Sequence, residues 1–241
     1  MENRSDPCGP VIAIDGPSGT GKSTLARLLA KSLHCRTIDT GAMYRAVAVF
    51  AAREGVDADD LPALLRLLGR FKIDYVETDQ GLRVFLREDD ISEEIRRPGV
   101  GEAASKLSRF PEVRELLVEL QRQFAARGSV VMEGRDIGSV VLPGADLKIF
   151  LDADPEERAR RRQREWQAKG IGVRVEEVRK EMFTRDRRDR TRETAPLVTA
   201  ADAIRIDTTE LTPGEVLDLI LRCAEQKGIR ADGCDFRAQS L

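Results

Sequence analysis

A chain of 241 residues suits one α/β domain with appended lobes, or at most two small domains. With 41% hydrophobic and 34% charged residues it has material for a core and a heavily charged surface, and a net charge of −2 excludes the broad basic face of a general nucleic-acid binder. Its four cysteines lack C-x-x-C spacing, its one histidine cannot complete a metal cluster, and it has neither a long apolar run nor a secretory leader pattern. The expectations are free thiols in a reducing cytoplasm and no membrane or nucleic-acid partner.

In chain order, residues 1–10 are a polar, flexible lead-in. Val11–Asp15 is a short apolar strand, a glycine-rich turn follows, and an amphipathic helix runs from Leu25 to Leu33. Gly16, Gly21, Lys22 and Ser23 fill the fixed places of the phosphate-loop pattern G-x-x-x-x-G-K-[ST]. A phosphate chain must be wrapped by inward-pointing backbone N–H groups, which glycines permit, and the following helix aims its positive dipole end at the same anion. Gly16, Pro17, Ser18, Gly19, Thr20, Gly21, Lys22, Ser23 and Thr24 are therefore the expected nucleotide-phosphate loop, with Lys22 reaching the β/γ-phosphates and Ser23 on Mg²⁺.

Arg36–Asp39 reads as a second strand, and Ala42–Ala52 as a helix capped by Asp39 or Thr40 with Arg45 in its first turns. Residues 71–97 break the α/β rhythm. Phe71, Ile73 and Tyr75 alternate with polar residues, as do Leu82, Val84 and Leu86, around the turn Thr78-Asp79-Gln80-Gly81, with a third strand near Ile91. An inserted β lobe of this kind, about 66–100, is either decoration or a jaw that closes on a substrate. Pro111 opens a helix with Val113, Leu116, Leu117, Leu120 and Phe124 on one face and Arg114 off that stripe. Ser129-Val130-Val131-Met132-Glu133-Gly134-Arg135-Asp136 reads as an apolar strand that ends in acids and an arginine. Carboxyl ends of parallel strands bind ligands in open α/β sheets, so Glu133 is placed to hold Mg²⁺ through water, and Arg135 and Asp136 to face a second ligand.

Asp146–Leu151 is the next strand; Asp154 caps a helix carrying Arg158, Arg160, Arg161, Arg162 and Arg164, and Lys169-Gly170-Ile171-Gly172 makes a flexible turn. The arginine run is either a solvated face or a lid over about 158–178. A second lid helix runs from Val175 toward Thr194, limited by Pro196, with Arg185, Arg188, Asp189 and Arg192 on one face. The plain alternative for Arg185 and Asp189 is an i,i+4 salt bridge worth about 0.2–0.5 kcal/mol. Ala203–Ile206 is a last strand, Thr212 and Glu215 form a capping box for a helix through Cys223, and 228–241 is a polar tail.

About five strands alternating with helices argue for a parallel phosphate-loop sheet wrapped on both faces, with a small antiparallel β lobe and a short helical lid. Asp15-Gly16-Pro17-Ser18-Gly19-Thr20-Gly21-Lys22-Ser23, Asp39-Thr40-Gly41-Ala42-Met43-Tyr44-Arg45, Glu133-Gly134-Arg135-Asp136-Ile137-Gly138 and Arg185-Asp186-Arg187-Arg188-Asp189-Arg190 together resemble the bacterial cytidylate kinases, nucleoside monophosphate kinases, over about 11–227. The resemblance implies transfer of the ATP γ-phosphoryl group to CMP or dCMP, with Mg²⁺ as cofactor and the β lobe in the monophosphate-binding region. It implies that Ser105, Arg114 and Asp136 recognise cytosine, Arg185 and Asp189 the sugar, and Arg45, Arg135 and Arg192 the acceptor phosphate. Thr40 stands in the acceptor site where relatives often have serine, and Glu133 where an aspartate is common. Lys22, Arg135, Arg192 and Arg161 are the expected catalytic groups, in a monomer. The rivals are another small-molecule kinase on the same fold, or a nucleotide switch, for which an N-K-x-D motif is missing.

Overall fold

The computed structural model describes residues 9–78, 81–168 and 170–230. Most of the lead-in, the tip of the 78–81 turn, Lys169 of the lid turn, most of the polar tail, and Cys8 and Cys234 lie outside them. Five parallel strands, β1 (Val11–Asp15), β2 (Arg36–Asp39), β6 (Val130–Gly134), β7 (Leu147–Asp152) and β8 (Ile204–Asp207), form one sheet in the order β2-β6-β1-β7-β8. β1 and β6 are buried throughout, as parallel strands covered on both faces must be.

Alternation along β1 splits the core in two. Val11 and Ala13 face a large cluster with α2 (Thr40–Arg53), α4 (Val100–Leu107) and α5 (Pro111–Ala125), whereas Ile12 and Ile14 face α1 (Lys22–Ser32) and α8 (Pro213–Gln226). Side chains such as Ile12, Leu29 and Leu117 are fully buried, each worth about 1.5–3 kcal/mol by transfer from water.

The antiparallel lobe, β3 (Ile73–Thr78), β4 (Gly81–Leu86) and β5 (Asp89–Asp90), forms a separate sheet but not a separate core. Val84, Leu86, Ile91 and Ile95 are buried in the same cluster as α2. α6 (Pro155–Gln167) and α7 (Val175–Thr191) pack around a small cluster of Ala159, Val178 and Met182.

Several boundaries differ from the sequence reading. α1 begins at Lys22 rather than Leu25, because Gly21 takes a left-handed φ of 90° and lets the helix start inside the loop. α7 stops at Thr191, short of Thr194, where Arg192 turns extended and its Nε donates to the Ala195 carbonyl at 2.6 Å. The helices α3 (Leu61–Leu68) and α4 were not assigned from sequence, although Asp60 caps α3 by accepting from the Ala63 N–H at 3.0 Å.

Candidate active site

The carboxyl ends of β1, β2 and β6 meet where the strand order reverses about β1, the usual ligand position in an open α/β sheet. They border one open cleft of about 720 Å³. At one end is the phosphate loop. Gly16 is obligatory there: φ is 148°, and a Cβ would lie 2.1 Å from the Leu151 carbonyl oxygen. Lys22 is buried and its Nζ donates to the Pro17 carbonyl at 2.7 Å, folding the side chain across the loop. Thr20 Oγ1 donates to the same carbonyl at 3.1 Å. Because α1 starts at Lys22, its first N–H groups have no partner within the helix and open toward the cleft.

Beside the loop, the Ser23 hydroxyl donates to Glu133 Oε1 in a very short hydrogen bond. Burial, reinforced by nearby Asp39, pushes the Glu133 carboxyl above its ordinary range. Burial and then the field of Arg135 bring the Lys22 ammonium down to about 7. Asp15, which did not stand out in the sequence beyond ending its strand, accepts the Ile137 and Gly138 N–H groups at 2.8 and 2.7 Å. It thereby fixes the turn that carries Arg135 and Asp136; burial pushes its carboxyl up to about 6.

The rest of the cleft is held by arginine–carboxylate pairs. Arg45 Nη2 lies 2.7 Å from Asp39 Oδ2, and burial would raise the Asp39 carboxyl but Arg45 outweighs it and holds it low. Arg135 Nε donates to Asp189 Oδ2 at 3.1 Å, and Arg185 stands 3.9 Å from the same oxygen. Burial and then Arg135 bring the Arg185 guanidinium down to about 10. At the far end Arg114 forms a short, buried ion pair with Asp136 Oδ2, and Arg192 reaches Asp136 Oδ1 at 3.4 Å. The sequence reading sets Arg114 off the apolar stripe of α5, but the structure puts it on the buried face of that helix with Val113, Leu117, Gln121 and Phe124, only 3% exposed. Its guanidinium sits 5.8 Å from the Tyr44 ring centre.

Among the described residues, three donors, Arg45 Nε, Arg114 Nη1 and Arg185 Nε, are buried at the cleft without a hydrogen-bond partner. Buried donors left open in this way call for a ligand with acceptor groups. The fold also brings in Arg188, whose role the sequence left open: its Nη1 donates to Ser105 Oγ at 2.9 Å and its Nη2 pairs with Glu102 at 2.8 Å. Thr40 lines the same cleft, with its hydroxyl donating to the Glu133 carbonyl at 2.8 Å.

Arg161 is the expected catalytic group that the fold does not bring to the others. Its guanidinium turns away from the cleft to donate to the Thr208 and Thr209 carbonyls at 2.6 and 3.2 Å. Its neighbour Arg162, one position on and therefore about 100° round the helix, borders the cleft and reaches Ser18 Oγ at 3.2 Å.

The family model for cytidylate kinase matches residues 12–226. The chain belongs to the cytidylate kinase family. It is 54% identical to the cytidylate kinase of Pelotomaculum thermopropionicum over 88% of this chain and 94% of that one. It is 50% identical to that of Carboxydothermus hydrogenoformans, over 90% of this chain and 97% of the other, and 45% identical to that of Klebsiella pneumoniae, over 90% and 96%. Membership in the cytidylate kinase family makes the chain a phosphotransferase with a nucleotide-binding phosphate loop.

With Lys22 brought down to about 7, polyphosphate binding at this loop should be linked to proton uptake. Above pH 7 the ligand-free lysine is increasingly neutral, while a polyphosphate favours the ammonium. Binding should therefore take up a proton above pH 7, and affinity should fall by up to about tenfold per pH unit there. Titration calorimetry of ATP at pH 8 in two buffers of different ionisation enthalpy should report this uptake. Identical heats in the two buffers would contradict it.

Proposed function

We propose that the protein transfers the γ-phosphoryl group of ATP to CMP or dCMP, giving CDP or dCDP and ADP. The observation that carries this reading is the single cleft that runs from the phosphate loop at Lys22 through Arg45, Arg135 and Arg185 to Arg114, Asp136 and Ser105. The loop would wrap the ATP phosphates, and the arginines would hold the acceptor phosphate opposite them. Phosphoryl transfer to an acceptor that is already an anion needs positioning and charge stabilisation more than a general base, which suits a site of lysine and arginines without a catalytic histidine.

The Ser23 hydroxyl and the Glu133 carboxylate, in contact beside the loop, form an oxygen donor set suited to Mg²⁺, Glu133 acting through water. Mg²⁺ would neutralise charge on the β- and γ-phosphates. Cytosine offers an amine donor together with O2 and N3 acceptors; Asp136 complements the first, while Arg114 and Ser105 complement the others. Arg185 and Asp189 would meet the sugar, and Arg45, Arg135 and Arg192 the acceptor phosphate. The 66–100 region would form part of the acceptor-binding lobe and 158–178 the lid. The working unit we propose is a monomer. A cytoplasmic enzyme, beside its nucleotide substrates, is part of the proposal. Among the described residues, no helix is long and apolar enough to cross a membrane.

ADP formation from ATP and Mg²⁺ should be slight alone and rise steeply when CMP is added. Hydrolysis indifferent to CMP would overturn the reading. The two lid arginines should separate in the same assay. Arg162→Ala should lower kcat/KM for ATP by about tenfold or more through loss of a charged donor at the loop. Arg161→Ala, whose hydrogen bonds go to the 208–209 carbonyls, should affect melting temperature more than kcat/KM.

A further inference from the structure

α7 presents two inward faces. Arg185, Arg188 and Asp189 turn toward the acceptor half of the cleft, where Arg188 meets Ser105 and Asp189 meets Arg135. Val178, Met182 and Asp186, spaced four apart, are buried against α6 and the phosphate loop. Among these Asp186 is the one charged group, and it has no place in the acceptor site.

Its partners are specific. Asp186 Oδ2 forms a short ion pair with Arg158 Nη1, and both side chains are buried, at 9% and 8% exposure. Asp186 Oδ1 accepts the backbone N–H of Ser18 at 3.4 Å, while Arg158 Nη1 donates to the Ser18 carbonyl at 3.0 Å. Arg158 Nε is anchored to the Ala153 carbonyl at 3.1 Å, at the end of β7. The next residue of the loop, Gly19, is packed as closely: a Cβ there would lie 2.9 Å from Met182 Cε and 3.0 Å from the Arg158 carbonyl oxygen. The crest of the phosphate loop is thus gripped on both sides of Ser18 by a pair whose carboxylate belongs to the acceptor-facing helix.

We propose that Arg158 and Asp186 are positioning residues that couple the two nucleotide sites: acceptor binding, by fixing α7, fixes Ser18 and Gly19 in the arrangement that takes the ATP phosphates. α7 is one continuous helix held by its buried residues Val178, Met182, Asp186 and Asp189, so Asp186 cannot keep its place on Ser18 while Arg185 and Asp189 shift by a different amount. Neither side chain lines the cleft. The proposal rests on the reading of α7 as an acceptor-binding element.

The test is a coupling measurement. The dissociation constant of the non-hydrolysable β,γ-imido analogue of ATP, with Mg²⁺, is measured with and without saturating CMP. Fluorescence of the chain's one tryptophan, Trp166, which borders the cleft, is the signal. In the unaltered protein CMP should tighten the analogue by about fivefold or more, and the analogue should tighten CMP by the same factor. The double variant Arg158→Met, Asp186→Leu fills the volume without leaving a buried charge unpaired, so it should remain folded. It should bind CMP alone with little change, yet show a coupling factor near one. Arg158→Lys, which keeps the ion pair, should retain most of the coupling. A purely structural role would weaken both affinities and leave their coupling intact, so coupling that persists in the double variant overturns the proposal, as does its absence from the unaltered protein. Unchanged CMP affinity in Arg185→Ala would instead overturn the acceptor reading of α7, a result distinguishable from either.

Discussion

Lys22→Met should lower kcat/KM by about 10²–10³ while the protein melts no lower than the unaltered chain. Methionine preserves the length and packing of the buried side chain but removes the charge that Nζ offers across the phosphate loop. The fold holds the lysine at about 7, below its unfolded value of 10.5, so burying this ammonium works against folding. That penalty is fully present below pH 7, where the lysine is charged in both states, and is relieved as pH rises from 7 toward 10.5. Removing the group therefore should not cost stability at neutral pH. A variant that kept its activity would remove Lys22 from the mechanism; one that lost activity only because it unfolded would show that the lysine serves the loop's structure.

Asp136→Asn should shrink the preference for CMP over UMP by about 10². The carboxylate can only accept, which suits the cytosine amine; an amide can also donate, which suits the uracil carbonyl at the same ring position. Arg114 and Arg192 converge on Asp136 and hold its oxygens in place, so the residue has little freedom to avoid the mismatch. Weakening a buried ion pair can cost about 3–5 kcal/mol, so the variant should also be less stable. The ratio of kcat/KM for the two acceptors is independent of how much enzyme is folded and is the quantity to compare. An unchanged ratio would remove Asp136 from base recognition.

Local chemistry was legible in the sequence wherever a short stretch closes on itself. The phosphate loop, the Asp39 and Asp154 helix caps, and the Thr212–Glu215 capping box all appear where the residues indicated them. The hairpin of β3 and β4 follows from its alternation, and the convergence of Arg185, Arg188 and Asp189 from helical spacing. What was hidden depends on partners far along the chain. Helical spacing gives relative directions within α6 but not which of them faces the loop, so Arg161 and Arg162 could not be told apart. The burial of Arg114 needs Asp136, 22 positions away, and the pairing of Arg158 with Asp186 needs α7 to fold back on α6. α3 was missed because its leucines sit beside the lobe without a break in composition, though Asp60 and Pro62 mark its start.

The most direct test of the central claim is a parallel measurement of kcat/KM for CMP, dCMP, UMP and AMP with ATP and Mg²⁺. The account predicts efficient turnover of CMP and dCMP, with UMP and AMP much poorer. Equal turnover of CMP and UMP, or AMP as the preferred acceptor, would contradict the cytosine site at Ser105, Arg114 and Asp136.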